Sequence, residues 1–169
     1  MHTAQRIAIL VDSENLEISV SQNYEPERAL RATHTAYPDW MEIIPRVVSG
    51  RTTVRCIYYK KRGLRISPKF KRLWEKDLGG EFRQPEKSVD PYIIVDAITL
   101  TEKVDVVIIL AGDKDYLPLI WYLRSRGCRV EVASYADAAS KRIRDAADAF
   151  YLLTERDTVV LENRAGASR

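Results

Sequence analysis

The sequence predicts an α/β fold in three layers, with a central, mostly parallel sheet flanked by helices. Two runs, residues 7–11 (IAILV) and 104–111 (VDVVIILA), are almost continuously apolar and rich in β-branched residues, as strands buried on both faces should be. Strand-like and helix-like segments alternate from end to end, the pattern of repeated crossovers between parallel strands. At 169 residues, with 46% hydrophobic and 30% charged residues, the chain has an ordinary globular balance and fits one domain with a full core.

Residues 6–11 read as the first strand, and Ser13-Glu14-Asn15-Leu16 turns into a helix through small polar capping residues. Residues 22–37 are polar and weakly periodic between Pro26 and Pro38, so residues 22–40 read as an irregular insertion, with at most a short helix over 26–31. Residues 40–48 read as a helix despite Pro45, and residues 52–59 as a strand of β-branched and aromatic residues. Ser67 caps and Pro68 opens a helix over 69–78 that Gly79-Gly80 ends, with residues 81–83 as a short strand. Asp90-Pro91 starts a helix to about residue 102, its core stripe carried by Ile93, Ala97 and Leu100. A strand over 104–110, a helix over 117–126 closed by Gly127 and a strand over 129–133 follow. Residues 140–150 give a last helix and 151–153 a last strand. The domain is thus expected over residues 1–155, with 156–169 as a polar tail that frays.

Composition excludes several classes. The net charge of +3 is too mild to name a nucleic-acid partner by itself. Two cysteines, Cys56 and Cys128, are too few for a disulfide framework and lie in or beside apolar runs, so buried free thiols are expected. No stretch approaches the roughly 20 apolar residues that span a bilayer, and the amino terminus has no signal-type segment, so the cytoplasm is the expected location. His2 and His34 offer little to paired-histidine or serine-hydrolase chemistry. There is no glycine-rich phosphate loop and no dinucleotide fingerprint after the first strand.

The acidic residues carry the chemistry. Asp12 ends the first apolar run, and Gly112-Asp113-Lys114-Asp115 ends the second, so parallel strands would bring three carboxylates to one sheet edge. Packed anions repel unless a cation neutralises them, and oxygen donors select a hard ion, Mg²⁺ or Mn²⁺. Each acid also has a plainer reading. Asp12 can cap the following helix, and so can Asp90, in front of Pro91. Asp96 lies six positions beyond Asp90, too far around a helix at about 100° per residue to share one narrow stripe with it. Asp105 precedes its strand and falls at the wrong edge. Lys87 can neutralise the cluster or meet a phosphate, and Asn15 can orient a carboxylate or a water.

Tyr58-Tyr59-Lys60-Lys61-Arg62-Gly63-Leu64-Arg65 sets cations directly after two aromatics, and Lys69, Lys71 and Arg72 extend the charge. Such a segment can hold an RNA backbone while an aromatic stacks on an unpaired base. The plainer reading is a solvated loop and an amphipathic helix, with Phe70, Leu73 and Trp74 in the core.

Four ordered motifs resemble the NYN family, relatives of the PIN-like metal-dependent ribonucleases. They are Ile9-Leu10-Val11-Asp12-Ser13-Glu14-Asn15-Leu16; Lys87-Ser88-Val89-Asp90 with Asp96; Leu110-Ala111-Gly112-Asp113-Lys114-Asp115-Tyr116-Leu117-Pro118-Leu119; and Ala147-Asp148-Ala149-Phe150 after Gly127 and Val130. The resemblance implies a PIN-like fold and cleavage of RNA by water activated at Mg²⁺ or Mn²⁺, with Asp12, Asp90, Asp113 and Asp115 as catalytic metal ligands. It implies support from Asn15, Lys87 and Asp96; Lys114 is a further supporting candidate of this chain's own, and RNA contacts at Lys60, Lys61, Arg62, Arg65 and Lys69 fit the same reading. The chain departs from the family pattern at Ala111 and Lys114, and Lys114 can either contact phosphate or compete with a metal for the carboxylates. The leading reading is a metal-dependent endoribonuclease. The alternative is an RNA- or protein-binding module with a degenerate acid cluster; a small-molecule phosphatase ranks last, because Asp12 is not followed by a second Asp at the usual spacing.

Overall fold

The structure, a computed structural model, describes residues 4–24 and 34–162. In chain order the elements are β1 (Arg6–Asp12), α1 (Ser13–Tyr24), β2 (His34–Pro38), α2 (Trp40–Val48), β3 (Thr52–Tyr59), α3 (Pro68–Arg72), β4 (Glu81–Arg83), α4 (Asp90–Leu100), β5 (Val106–Leu110), α5 (Leu117–Ser125), β6 (Arg129–Tyr135), α6 (Lys141–Ala146), β7 (Ala149–Leu153) and β8 (Thr158–Glu162). α3 continues as a π-helical turn over Leu73–Asp77, so the expected helix is present in two hydrogen-bond patterns, with Ser67 as its side-chain cap.

Six strands form one sheet in the order β4-β3-β1-β5-β6-β7, and every pairing in it is parallel. The chain steps outward from β1 through β3 to β4, then returns to the other side of β1 for β5, β6 and β7. The direction of winding therefore reverses between β1 and β5, and the carboxyl edge there is where open α/β sheets take their ligands.

Strand parity divides the core into two clusters. Ile7, Ile9 and Val11 pack with Leu16 and Val20 of α1, with Ile43 and Val47 of α2, and with Trp74. Ala8 and Leu10 pack on the opposite face with Ile93 and Ala97 of α4, with Ile120 and Leu123 of α5, and with Ile143 of α6. This is the three-layer arrangement, and a period of two fixes which layer each side chain enters. Asp12 has the parity of Ala8 and Leu10 and so points to the α4–α5 layer. Tyr59 of β3 has the parity of Ile57, and Ala111 that of Val107 and Ile109, all in that same cluster.

Several boundaries differ from the expectation. The residues at 34–38, expected within an irregular insertion, form β2, which pairs antiparallel with β8 in a second, two-stranded sheet. Residues 158–162 are therefore a strand where a fraying tail was expected. Asp157 ties this ribbon down: 2% exposed, it takes Arg46 at 3.0 Å and the Thr154 amide at 2.7 Å, while its carbonyl accepts from the Asp39 amide and Tyr135 Oη. The short helix considered at 26–31 lies outside the described residues. The last helix stops at Ala146, and β7 begins at Ala149 rather than Tyr151.

β6 carries a carboxylate in its middle. Glu131 is 2% exposed and accepts from Arg51, Arg129 and Tyr151. Burial alone would raise its pKa, but these donors outweigh it and hold the carboxyl below its usual range. Cys56 and Cys128 are both buried and unpaired as thiols. No helix among the described residues is long and apolar enough to cross a membrane.

Candidate active site

β1 delivers Asp12 to the carboxyl edge with 5% of its surface exposed. Its Oδ1 accepts from the Asn15 amide at 3.2 Å, so it does cap α1. Its Oδ2 meets Tyr116 Oη at 2.9 Å, and the same Oη lies 3.0 Å from Asp90 Oδ1. The capping reading of Asp12 thus holds through Oδ1, while Oδ2 is turned to the Tyr116 hydroxyl. Asp90 is the first residue of α4 rather than its cap, and it lies on the buried stripe of Ile93 and Ala97. A first-turn carboxylate also suits the positive end of the helix.

Two segments far apart in sequence thus converge on one phenol at the point where the sheet reverses. A phenol has one hydrogen, so Tyr116 can donate to only one carboxylate at a time. Burial raises the Asp12 carboxyl to about 6; the Asn15 amide and Tyr116 hydroxyl pull it down, and the charges of Asp90 and Glu14 push it further up. Below that pH, a proton on Asp12 can complete a chain from Asp12 through Tyr116 to Asp90. Above it, two anions compete for one hydrogen. Tyr116 is itself pushed far above the ordinary tyrosine range, first by burial and then by the charges of Asp12 and Asp90, so it stays a neutral donor.

The β5 turn is bound to the same edge. Asn15 Oδ1 accepts from the Gly112 amide at 2.8 Å, joining the start of α1 to the end of β5. Gly112 is required for close packing: a Cβ there would collide with the Ala138 carbonyl and lie 2.6 Å from Ser134 Oγ. Asp113 caps the 3₁₀ turn Lys114–Tyr116 through a 2.9 Å bond from the Asp115 amide, and Lys114 and Asp115 are exposed. Asp113 and Asp115 share no hydrogen bond with Asp12 or Asp90.

Other residues singled out in the sequence share no hydrogen bond with this group. Asp96 accepts from Tyr59 Oη at 2.6 Å and faces Arg83 Nε at 3.5 Å, and shares no hydrogen bond with Asp12, Tyr116 or Asp90. Lys87 is exposed in the loop before α4. Asp148 binds the Val130 amide at 2.8 Å and Arg124 at 3.2 Å, a role in holding β6 and α5 together. Asp105 binds the amide and side chain of Arg6 at the opposite edge, as expected.

The basic segment begins at the right edge, because Asp12 is in register with Tyr59. Two parts of the expectation fail there. Tyr58 and Tyr59 are 2% and 0% exposed, with their hydroxyls bonded to Glu17 and Asp96, so neither can stack on a base. Tyr58 instead sits in an aromatic cluster with Trp40, Phe70, Trp74 and Phe82. Lys60 is consumed by Glu17 at 3.0 Å, its side chain 14% exposed. Arg62 pairs with Glu86 while still largely in water, and Lys61, Arg65 and Lys69 are exposed.

Sequence reasoning missed Tyr116 as a site residue. Its signal was a polar-tipped aromatic immediately after the second acidic motif, at a position whose neighbours Leu117 and Leu119 are core. The NYN domain model matches residues 6–154. This chain belongs to the NYN domain family. Membership places the NYN chain within a PIN-like nuclease superfamily, and its three-layer sheet is the PIN-like arrangement. A crystal structure of a protein of unknown function from Vibrio parahaemolyticus superimposes with a TM-score of 0.76 at 22% identity, covering 94% of this chain and 99% of that one, which shows a shared fold. Among curated proteins none matches in sequence.

NYN and PIN-like nucleases generally use divalent metals. Among the described residues, no three His, Cys, Asp or Glu side chains stand close enough to hold one ion between them. The donor chemistry of the pair still suits a hard cation: two carboxylates aim at one point, and burial and a neighbouring anion penalise the charge of Asp12, which a cation would relieve.

Proposed function

We propose that this NYN domain is a metal-dependent endoribonuclease whose centre is Asp12 and Asp90, with Asp113 and Asp115 contributed by the adjacent turn. The observation that carries the reading is the convergence of Asp12 and Asp90 on the Tyr116 hydroxyl at the sheet's switch point. Asp12 and Asp90 would hold Mg²⁺ or Mn²⁺, and Asp113 and Asp115 would add negative charge beside it. When bound, such an ion activates water and neutralises the leaving oxygen of a phosphodiester. The chain's own residues do the rest. Asn15 fixes the Gly112 turn so that the β1 and β5 ends keep their spacing. Tyr116 orients Asp12 and Asp90 toward each other. Lys114 and Lys87, both exposed at this edge, meet substrate phosphates, and Lys61, Arg65 and Lys69 attract the RNA backbone. Lys60 is left out of that set because Glu17 holds it. The cytoplasm remains the proposed location.

Cleavage of single-stranded and structured RNA in Mg²⁺ or Mn²⁺, compared for the native chain, Asp12→Asn and Asp113→Asn, tests the reading. A loss on the order of 100-fold or more in each variant, and in chelator, is expected. Equal activity in all three rejects it. The spacing of the acids favours one second reading, a binding module without catalysis. RNA retention with no cleavage in either metal would support that alternative.

A further inference from the structure

Beside the acidic centre lies a shallow cavity of about 380 Å³ lined by Lys114, Asp115, Leu117, Pro118, Trp121 and Arg142. Trp121 is 52% exposed, whereas Trp40 and Trp74, the chain's other two tryptophans, are 6% and 0% exposed. Its place follows from helix spacing: Leu117 and Pro118 stand four and three positions before it on α5, so the three form one wall above the Lys114–Tyr116 turn. Arg142, exposed in the first turn of α6, closes the far side. Among the described residues, nothing in the hydrogen bonding or core packing uses the outer face of this indole. An indole held on a rigid helix between two cations has the chemistry that nucleic acid binders use: a flat π-face for a base, with positive charge for the flanking phosphates.

We propose that this cavity is a nucleotide subsite for single-stranded RNA, in which one unpaired base stacks on Trp121 while Lys114 and Arg142 hold its phosphates. The inference rests on the ribonuclease reading and gives it a substrate form. Duplex RNA is excluded because its bases stack on one another and present no free face. Asp115 carries the only negative charge among the lining residues, and it belongs to the same turn as the acidic centre, so a strand stacked on Trp121 runs on toward Asp113. From Asp115 to Trp121 the axial distance is about 9 Å at roughly 1.5 Å per helical residue, which sets the stacked base beside the acids rather than on them. Stacking tolerates any base, so the subsite selects for strandedness more than for sequence. It also supplies the aromatic contact that the buried Tyr58 and Tyr59 cannot.

Trp121 is the one water-exposed tryptophan, so emission quenching reports on it directly. The native chain in chelator, which leaves RNA intact, is titrated with a short oligouridylate and separately with a perfect RNA duplex. Saturable change in emission and protection from acrylamide with the single strand, but not with the duplex, are expected. Trp121→Ala should weaken single-strand binding about tenfold or more, Trp121→Tyr should retain most of it, and both should unfold like the native chain. Lys114→Ala with Arg142→Ala should flatten the dependence of log affinity on log salt by about 1.4. If the native chain and Trp121→Ala bind and cleave the single strand equally, the subsite is wrong and the ribonuclease reading stands. If the chain neither binds nor cleaves any RNA, both fall.

Discussion

Asp12 is a costly residue to keep charged, and that cost is measurable. Its carboxyl is raised from 3.8 to about 6 in the folded chain, so the native state binds a proton more tightly than the unfolded state does. Stability therefore falls as pH climbs from about 4 through 6, by up to about 3 kcal/mol at 1.36 kcal/mol per pK unit. Asp12→Asn has no such titration. In chelator it should be more stable than the native chain by up to that amount at pH 7.5 and indistinguishable near pH 4, as read by denaturant unfolding at the two pH values. A native chain that is equally stable at both pH values would show that Asp12 is not under this strain. Tyr116→Phe keeps the ring and removes the shared hydroxyl. Because that hydroxyl lowers the Asp12 value, its loss should shift the acid limb of the cleavage profile to higher pH and cost about 1 kcal/mol of stability at neutral pH. An unmoved acid limb would mean that Asp12 does not govern it. None of this was legible in the sequence beyond the acid itself. A capping residue and a ligand look alike there, and the geometry gives Asp12 one oxygen for the cap and one for Tyr116.

At the scale of elements, the β1 and β5 ends work as a unit because the Gly112 amide is held by Asn15 and the loop before α6 leaves no room for a Cβ at Gly112. Gly112→Ala must displace the Ala138 carbonyl or Ser134, which should cost about 2 kcal/mol and lower cleavage with it. Thermal melting and RNA cleavage on the same sample check this; an alanine variant that melts like the native chain would show that the loop yields freely. The strands of the central sheet were readable from apolar runs alone, since parallel strands buried on both faces leave few polar positions to confuse the pattern. Faces of helices were readable where a stripe existed, as with Ile93, Ala97 and Leu100. What failed at this scale were assignments that needed neighbours. Tyr58 and Tyr59, next to four cations in sequence, looked available to a base, but strand parity sends one into each core cluster.

Across the whole molecule, one residue near the end of the described chain ties together parts distant in sequence. Asp157 joins Arg46 on α2 and the Thr154 turn through its side chain, and Asp39 and Tyr135 through its backbone, just before β8 pairs with β2. Removing a nearly buried carboxylate from such a set leaves its donors unpaired, so Asp157→Ala should destabilise the chain by about 3 kcal/mol. Hydrogen exchange should then be fastest in β2 and β8, while β1 and β5 keep their protection. Uniform loss of protection across both sheets would show instead that the ribbon and the central sheet unfold as one.

The layers, the strand-to-helix alternation and the edge at which Asp12 and Asp113 would emerge are legible from the residues alone, because apolar periodicity is a local property written residue by residue. Which polar groups meet is settled by folding. It paired Asp12 with Asp90 through Tyr116, withdrew Lys60 and Asp96 into contacts with Glu17 and with Tyr59 and Arg83, set Trp121 in a cationic hollow, and made a ribbon of residues 34–38 and 158–162. A hydrogen bond or ion pair depends on a few tenths of an ångström between residues far apart in the chain, and that separation exists only once the chain has folded.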